Sequence, residues 1–357
     1  MTKRVAWLVT ALCLACGSPP PAAYTRENDA ALVAQRRGEH VTAAEHYERA
    51  AGHAKNERDA DEARYRAAES YVRGGAAERG ETLLSALARG GHGERSARAA
   101  FALADLAEQR GDAEAADQQR VLAIRRYPSS GLARKALEEH VRHVRAQGGS
   151  AAALAYLVAE AKALGGTELA ETLAYRTARE LDEAGELAAA RDQYLACAER
   201  FPYPRGAYWD DALFRAAQKE LELAAPDRAV KHLQRLLAEQ ESATFTGSYE
   251  RARYAEAQLE LGRIYRDVLH DSARARRELL KVWQNHPTST LADDALFQEA
   301  LLAREAGDGA GACATLSLLT KHLPQSRFAP CAHLLCERVA ATARPCHDYL
   351  KRAAGLP

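Results

Sequence analysis

Glycines recur along this chain at a constant interval. Gly74, Gly111, Gly148 and Gly185 are separated by 37, 37 and 37 residues, and Gly38 lies 36 residues before the first of them. The stretches between them carry apolar residues at helical spacing and no alternating strand pattern. Glycine adopts the left-handed conformation that ends a helix, and acidic or hydroxyl residues that favour a helix start often follow within two places. The spacing therefore predicts a repeated unit of helix, tight turn and helix.

The pentapeptide Asp-Asp-Ala-Leu-Phe occurs twice, at 210–214 and at 293–297, and the two copies lie 293 − 210 = 83 residues apart. In the predicted register both copies begin a first helix, in the sixth and the eighth unit. We expect the Asp pair to favour the positive end of that helix, and Leu and Phe to enter the core. Paired carboxylates also suit acid–base chemistry or metal binding, but their position at helix starts favours the capping interpretation. The predicted hairpins begin near residues 25, 57, 94, 131, 167, 206, 248, 290 and 327.

The repeat resembles the tetratricopeptide repeat (TPR), whose first helix carries Leu-Gly-x-x-Tyr and whose second carries Ala-x-x-x-Phe. The stretch 261–265 reads Leu-Gly-Arg-Ile-Tyr, and Ala190 with Tyr194 fits the second helix. Pro128, Pro202 and Pro287 fit the end of the unit. The resemblance implies an all-α, right-handed α-α superhelix, a TPR-like solenoid of about nine helical hairpins.

The stretch from Pro287 to Phe297, with its Ser289 and Ala-Asp-Asp-Ala-Leu-Phe, is similar to a subset of TPR proteins. That subset is found in β-barrel-assembly lipoproteins of the bacterial outer membrane and in the Tol-Pal-associated cell-division coordinator. The resemblance implies protein or peptide partners in the cell envelope.

The N-terminus has the features of an export signal. Lys3 and Arg4 precede an apolar run of eleven residues, 5–15, which is too short to span a bilayer. The small residue Ala15 directly before Cys16 resembles the lipobox of bacterial lipoproteins, which implies lipidation at Cys16, with Gly17 favouring the outer membrane. An ordinary secretory signal cut after Ala15 is the alternative. We expect a signal peptide at 1–15, a tether at 16–24 and a solenoid at 25–357.

Four of the cysteines lie within the last 45 residues, and they predict a Cys-rich C-terminal cap from about residue 309. Helix geometry favours pairing Cys313 with Cys331 and Cys336 with Cys346, so that each bond ties neighbouring antiparallel helices. The alternative is a Cys/His metal site that includes His333 and His347. Cys197 falls at a small buried position of a second helix and is expected to be a packing residue.

Neither the net charge nor the motifs of the sequence indicate nucleic-acid binding or catalysis. Lys plus Arg and Asp plus Glu both number 49, so the formal net charge is zero, which argues against nucleic acid as the main partner. No catalytic or phosphate-binding motif is present, and no cofactor or metal is expected. Glu139, His140 and His143 could supply metal ligands, but a solvated helix surface is the favoured interpretation.

Two aromatic turns are candidates for partner binding, because Tyr, Trp and Arg dominate binding hot spots. Packing between repeats is the alternative for these aromatic residues. The sequence thus predicts a non-catalytic, lipid-anchored adaptor on the periplasmic face of the outer membrane. The alternatives are a murein-acting enzyme scaffold like that of lytic transglycosylases, or a structural spacer. The candidate residues are Tyr203, Arg205, Tyr208, Trp209, Phe245 and Tyr249.

Overall fold

A computed structural model of the chain describes residues 19–90, 93–239 and 253–356, and every regular element in these ranges is a helix. The predicted signal peptide lies outside these residues, and so do Cys16, Phe245 and Tyr249. The helices are α1 Ala22–Arg36, α2 His40–His53, α3 Glu57–Arg73, α4 Ala77–Gly90, α5 Glu94–Gln109, α6 Ala113–Arg126, α7 Gly131–Leu164, α8 Ala170–Glu183, α9 Leu187–Arg200, α10 Trp209–Glu222, α11 Pro226–Ala238, α12 Arg253–Arg263, α13 Ser272–Asn285, α14 Ala292–Glu305, α15 Gly309–His322, α16 Ala332–Leu335 and α17 Asp348–Ala353.

The chain forms two compact units. Unit 1 extends to residue 149 and includes 162–169, and unit 2 comprises 150–161 and the chain from 170 onward. Unit 1 contains the hairpins α1–α2, α3–α4 and α5–α6, in which each helix packs on the one before it. Unit 2 contains α8–α9, α10–α11, α12–α13 and α14–α15. The prediction of an all-helical, TPR-like array of hairpins is confirmed.

The turns within the hairpins use a left-handed residue, as the glycine spacing predicts. φ is +80° at Gly111 and +79° at Gly185. In two places the neighbouring glycine takes this conformation: Gly75 follows Gly74, and Gly149, which interrupts α7, follows Gly148. Two of the described hairpin turns have no glycine at this position. There Ala224, with φ +57°, and His270, with φ +53°, take the left-handed conformation, which is strained for a residue with a side chain.

The Leu-Gly-x-x-Tyr segment shows why a TPR-like unit needs a small residue on its first helix. A Cβ atom added at Gly262 would lie 2.7 Å from the side chain of Leu279 on α13, so the two helices of that hairpin cross at this glycine. Ile264–Val268 then forms one π-helical turn at the end of the first helix. This turn lengthens the seventh unit.

The ninth predicted hairpin is shorter than the TPR pattern implies. After α15 the chain forms a 3-10 turn at Ala329–Cys331, the one-turn helix α16, a non-helical stretch and the short α17. These pieces share one apolar cluster with α14 and α15 that includes Leu296, Leu316 and Phe328. The last unit is therefore a compact cap on the eighth hairpin.

Candidate functional site

The aromatic turn at 202–209 faces the core. Trp209 is only 2% exposed and belongs to the main apolar cluster of unit 2. The half-buried ring of Tyr208 stacks on Tyr175 of α8 with centroids 4.3 Å apart, and Tyr203 packs on Trp209 at 5.6 Å. The prediction that Trp209 binds a partner is wrong, because inter-repeat packing buries its indole ring. Of the four described candidates, Arg205 is exposed.

Backbone contacts fix this turn between the fifth and sixth hairpins. Gly206 N donates to the carbonyl of Pro202 at 3.0 Å, and a Cβ atom at Gly206 would lie 2.0 Å from the carbonyl oxygen of Phe201. Tyr208 N donates to Glu171 Oε1 at 2.7 Å. The turn therefore joins α9, α10 and α8, and the aromatic signal in the sequence reports that junction.

The Asp pairs of the two DDALF copies lie in the first turn of α10 and of α14, as expected. Neither helix has a side-chain hydrogen bond at its N-cap, however. Asp211 instead accepts hydrogen bonds from Tyr175 Oη on α8, from Arg215 Nε at 2.7 Å and from Arg253 Nε on α12. We call these four residues the Asp211 network. It connects the first helices of three successive hairpins.

The second copy makes an equivalent connection. Asp294 Oδ2 accepts from Arg263 Nη2 on α12 at 3.1 Å and from Gln298 Nε2 at 2.9 Å. Asp293 Oδ2 accepts from Ser326 Oγ, beyond α15, at 2.7 Å. The repeated carboxylates therefore link neighbouring hairpins more than they cap a helix.

Proton affinities in the Asp211 network reflect these contacts. Burial opposes ionisation of Asp211, but the hydrogen bonds from Tyr175 and Arg215 outweigh it and hold the pKa of this carboxyl below its ordinary value. Burial and the bond to Asp211 together raise the pKa of Tyr175. The network is therefore charged and fully paired around neutral pH.

Unit 1 has open space along its row of first helices. Two cavities of about 250 and 290 Å³ are both lined by Tyr65 of α3 with Ala102 and Asp105 of α5. The first also reaches α7 at Leu132 and Ala136. We call this surface along α3, α5 and α7 the inner groove.

Charges of both signs surround the inner groove. Arg120 Nη2 donates to Glu108 Oε2 at 2.8 Å, and Arg120 Nε lies 3.7 Å from Glu139 Oε2. Lys135 Nζ lies 3.6 Å from Glu139 Oε1, on the exposed side. Burial, followed by the carboxylate of Glu69, raises the pKa of the half-buried Tyr65 to about 12. The phenol is therefore protonated at neutral pH, with the Glu69 carboxylate as its hydrogen-bond partner.

The 37-residue period could have located the inner groove. Tyr65, Ala102 and Glu139 are 37 and 37 residues apart, and Arg98 and Lys135 are 37 apart. These residues therefore occupy equivalent places on successive first helices. The aromatic clusters that drew attention in the sequence lie elsewhere, so a search for hot-spot residue types alone missed this surface.

The four clustered cysteines form two disulfides, but not in the pairs that helix geometry suggested. Cys313 bonds to Cys336 and Cys331 to Cys346, with Cα atoms 5.4 and 4.7 Å apart. The expected pairing assumed two long helices in the ninth unit, whereas the one-turn α16 brings Cys336 back onto α15. All four sulfurs are used, so none remains for the alternative metal site with His333 and His347.

Cys197 and His140 have ordinary packing roles, whereas His143 is half-buried and lies within hydrogen-bond distance of Gln147. Cys197 is buried, and this burial raises the pKa of its thiol to about 12. His140 is buried against Asp117, with Nδ1 2.5 Å from Oδ1, and so is not on a solvated surface as expected. Among residues 19–90, 93–239 and 253–356, no three His, Cys, Asp or Glu side chains are placed to hold a metal ion. No helix in these ranges is long and apolar enough to cross a membrane.

Several solved structures are similar to this chain at low identity. PilF of Pseudomonas aeruginosa is 17% identical over 65% of this chain and 94% of that chain, with a TM-score of 0.39. The C-terminal part of a TPR repeat-containing protein of Cytophaga hutchinsonii is 15% identical over 75% and 98%, with a TM-score of 0.43. Human IFIT1, in a dimer with PPP-AAAA, is 13% identical over 87% and 89%, with a TM-score of 0.43.

These likenesses are too distant to assign a function. No protein-family model matches the chain, and no curated protein is similar to it at a significant level.

Proposed function

We propose that this protein is a non-catalytic adaptor that binds a peptide segment of another protein in its inner groove. The observation that carries the proposal is the pair of cavities around Tyr65, which continue across the first helices α3, α5 and α7. Grooves with an apolar floor and a few well-placed polar groups are the usual form of a binding site. Here Ala102 and Ala136 supply the floor, and Tyr65 supplies an aromatic ring beside it.

The charges suit a segment of mixed polarity. Arg98 and Asp105 stand exposed on α5, and Lys135 stands exposed on α7. A bound segment would replace water around these exposed charged side chains. Such contacts at the rim determine the orientation and the association rate of a partner more than its affinity. Binding energy would come from Tyr65 and the alanine floor, since buried aromatic residues dominate interfaces.

We further propose that the adaptor works in the bacterial envelope, anchored by a lipid on Cys16 to the periplasmic face of the outer membrane. The export-type N-terminus supports this, and so do the two disulfides of the cap, because structural disulfides persist in oxidising compartments. The TPR subset that the 287–297 stretch resembles suggests outer-membrane protein assembly, secretion or cell-wall coordination as the process.

A site-specific crosslinking experiment tests the binding surface. A photo-reactive phenylalanine analogue would replace Ala102 in the inner groove, and Gln118, exposed on α6, would carry it in the control. We expect a discrete crosslinked partner from position 102 and none from 118, and we expect Ala102→Trp to prevent its capture by a probe at Leu132. Equal products from both positions, or none, would refute the adaptor and favour a spacer.

Membrane fractionation tests the anchor separately. Cys16→Ser should move the protein from the outer-membrane fraction to the soluble periplasm while crosslinking at position 102 with the purified partner persists. If the substituted protein stays with the membrane, the lipid proposal fails and the groove proposal stands.

A further inference from the structure

Unit 1 has a second and larger concavity on the side of its second helices. It lies between α4, α5 and α6 and has a volume of about 650 Å³, more than twice that of either cavity around Tyr65. We call it the outer groove. None of its lining residues takes part in the inner groove. Its lining includes Ala88, Arg89, Leu103, Leu122, Arg125 and Arg126.

The floor of the outer groove is apolar and open to solvent. Leu122 on α6 is 59% exposed, the largest value among the exposed large apolar side chains of the described residues. Leu103 of α5 and Ala88 of α4 are half-buried beside it. An exposed leucine within a concavity leaves apolar surface that a fitting partner could remove from water.

The charge of the outer groove has one sign. Among the described residues that line it, three are arginines and none is acidic, although acidic and basic residues are equally numerous in the chain as a whole. Arg126 is held in place, since Nη2 donates to the carbonyl of Arg89 at 2.9 Å and Nε to Tyr127 Oη at 3.0 Å. Arg89 and Arg125 are exposed at the rim. The groove is thus positive around an apolar strip.

We propose that the outer groove binds an acidic amphipathic helix of a partner protein. The apolar face of such a helix would cover Leu122 and Leu103, and its carboxylates would meet Arg89 and Arg125. The planar guanidinium pairs with a carboxylate through two parallel hydrogen bonds, which favours carboxylates on the partner. A flat lipid surface fits less well, because Leu122 lies within a concavity. This surface is additional to the inner groove and does not depend on it.

The direct test is a charge-swap titration. The probe is a fluorescein-labelled 18-residue helical peptide, with leucines at i, i+3, i+4 and i+7 and glutamates opposite. The matched probe replaces every glutamate with lysine. Fluorescence anisotropy would follow each probe against the mature wild-type protein, against Leu122→Asp and against Arg89→Glu combined with Arg125→Glu. Control variants are Val33→Asp and Arg36→Glu with Arg37→Glu, which alter exposed positions on α1 and at its C-cap.

We expect the wild type to bind the glutamate peptide and not the lysine peptide. Leu122→Asp should weaken that binding about tenfold or more, as removal of a central apolar contact does. The charge-reversed variant should lose the glutamate peptide and gain the lysine peptide, while both control variants behave as wild type. Raised salt should weaken binding, since the rim charges are exposed.

Four results would overturn the proposal. These are no binding by the wild type at about 1 mM peptide, equal binding of both peptides, binding unchanged by Leu122→Asp, or binding abolished by Ala102→Trp in the inner groove. Phosphatidylglycerol vesicles provide one further arm. Vesicle binding that depends on Leu122, together with no peptide binding, would assign the surface to a membrane instead. Circular dichroism melting confirms that each variant is folded, as expected for changes at exposed side chains.

Discussion

Unit 1 and unit 2 are built from the same hairpin, and in both of them a carboxylate links neighbouring first helices. Asp211 accepts a hydrogen bond from Arg253 in unit 2, and Glu62 accepts one from Arg95 in unit 1. Unit 1 differs in that small side chains on its first helices also leave cavities around Tyr65. One row of first helices can therefore carry both links between hairpins and open binding space.

The apolar cores differ in the same direction. In unit 2 a single cluster extends from α8 to α14 and contains Trp209, Tyr194 and Leu213. The first two hairpins of unit 1 contain smaller separate clusters, in which alanines surround Tyr47, Tyr71 or Leu84. Since stability in repeat proteins is a sum of local and nearest-neighbour terms, we expect amide hydrogen exchange to be faster in α1–α4 than in α10–α14.

The largest effect should come from the covalent links, which the described part of unit 1 lacks. Cys331→Ala with Cys346→Ala opens a loop with a sequence separation of 15 and should cost the cap about 3 kcal/mol. Hydrogen exchange should show loss of protection in 323–356 and no change in α1–α6. A uniform loss over both units would mean that the units are not independent in stability.

Removing the central carboxylate of unit 2 should come next. Asp211→Ala leaves Arg215, Arg253 and Tyr175 without their shared acceptor. We expect a loss of about 2–3 kcal/mol in unfolding free energy, less than for a fully buried pair because Asp211 is 17% exposed. The matched change in unit 1, Asp105→Ala at an exposed position, should cost under about 0.5 kcal/mol. Urea unfolding measures both, and similar costs would contradict the contrast.

Acid should weaken the Asp211 network. The pKa of Asp211 is lower in the folded protein than in the unfolded chain, so its contribution is fully present above about pH 4 and is lost as the pH falls further. Wild type and Asp211→Asn should thus converge in stability as the pH falls below 4. A constant difference between them down to pH 2 would show that the network does not act through charge.

The smallest effects concern the turns. Gly185→Ala places a side chain at φ +79° and should cost about 0.5–1 kcal/mol, the left-handed penalty less the entropy regained from the unfolded chain. Ala224→Gly relieves the same strain at φ +57° in the next turn and should stabilise by a similar amount. Thermal melting of the two variants should show shifts of opposite sign.

The array of hairpins could be predicted from the sequence because its 37-residue period is carried by turn residues, which end a helix through local geometry. Gly111 and Gly185 each end a helix whatever packs on it, so the hairpin starts near 57, 94 and 131 agree with the structure. Local signals do not reveal where a side chain points. Trp209 was expected at a binding surface and is buried, because the tight turn at Gly206 directs it inward.

The disulfide pairing failed for a related reason. It assumed that the ninth unit continues the repeat, whereas the helix ends at Leu335 and returns Cys336 to Cys313. The inner groove was missed because it depends on the small side chains of alanines. Ala102 has no chemical signature, and its importance appears only beside Tyr65 and Leu132 on neighbouring helices.

The crossed disulfides have a mechanical consequence. Cys313 and Cys346 are 346 − 313 = 33 positions apart, a stretch that would extend to about 115 Å if pulled straight. With both bonds in place, tension passes from Cys313 to Cys336, back along five residues to Cys331, and out at Cys346. The Cα atoms of Cys313 and Cys346 can then lie at most about 28 Å apart, of which the two disulfides span 5.4 and 4.7 Å. Under load the C-terminal end should behave as an inextensible clamp, while the hairpins before it unravel.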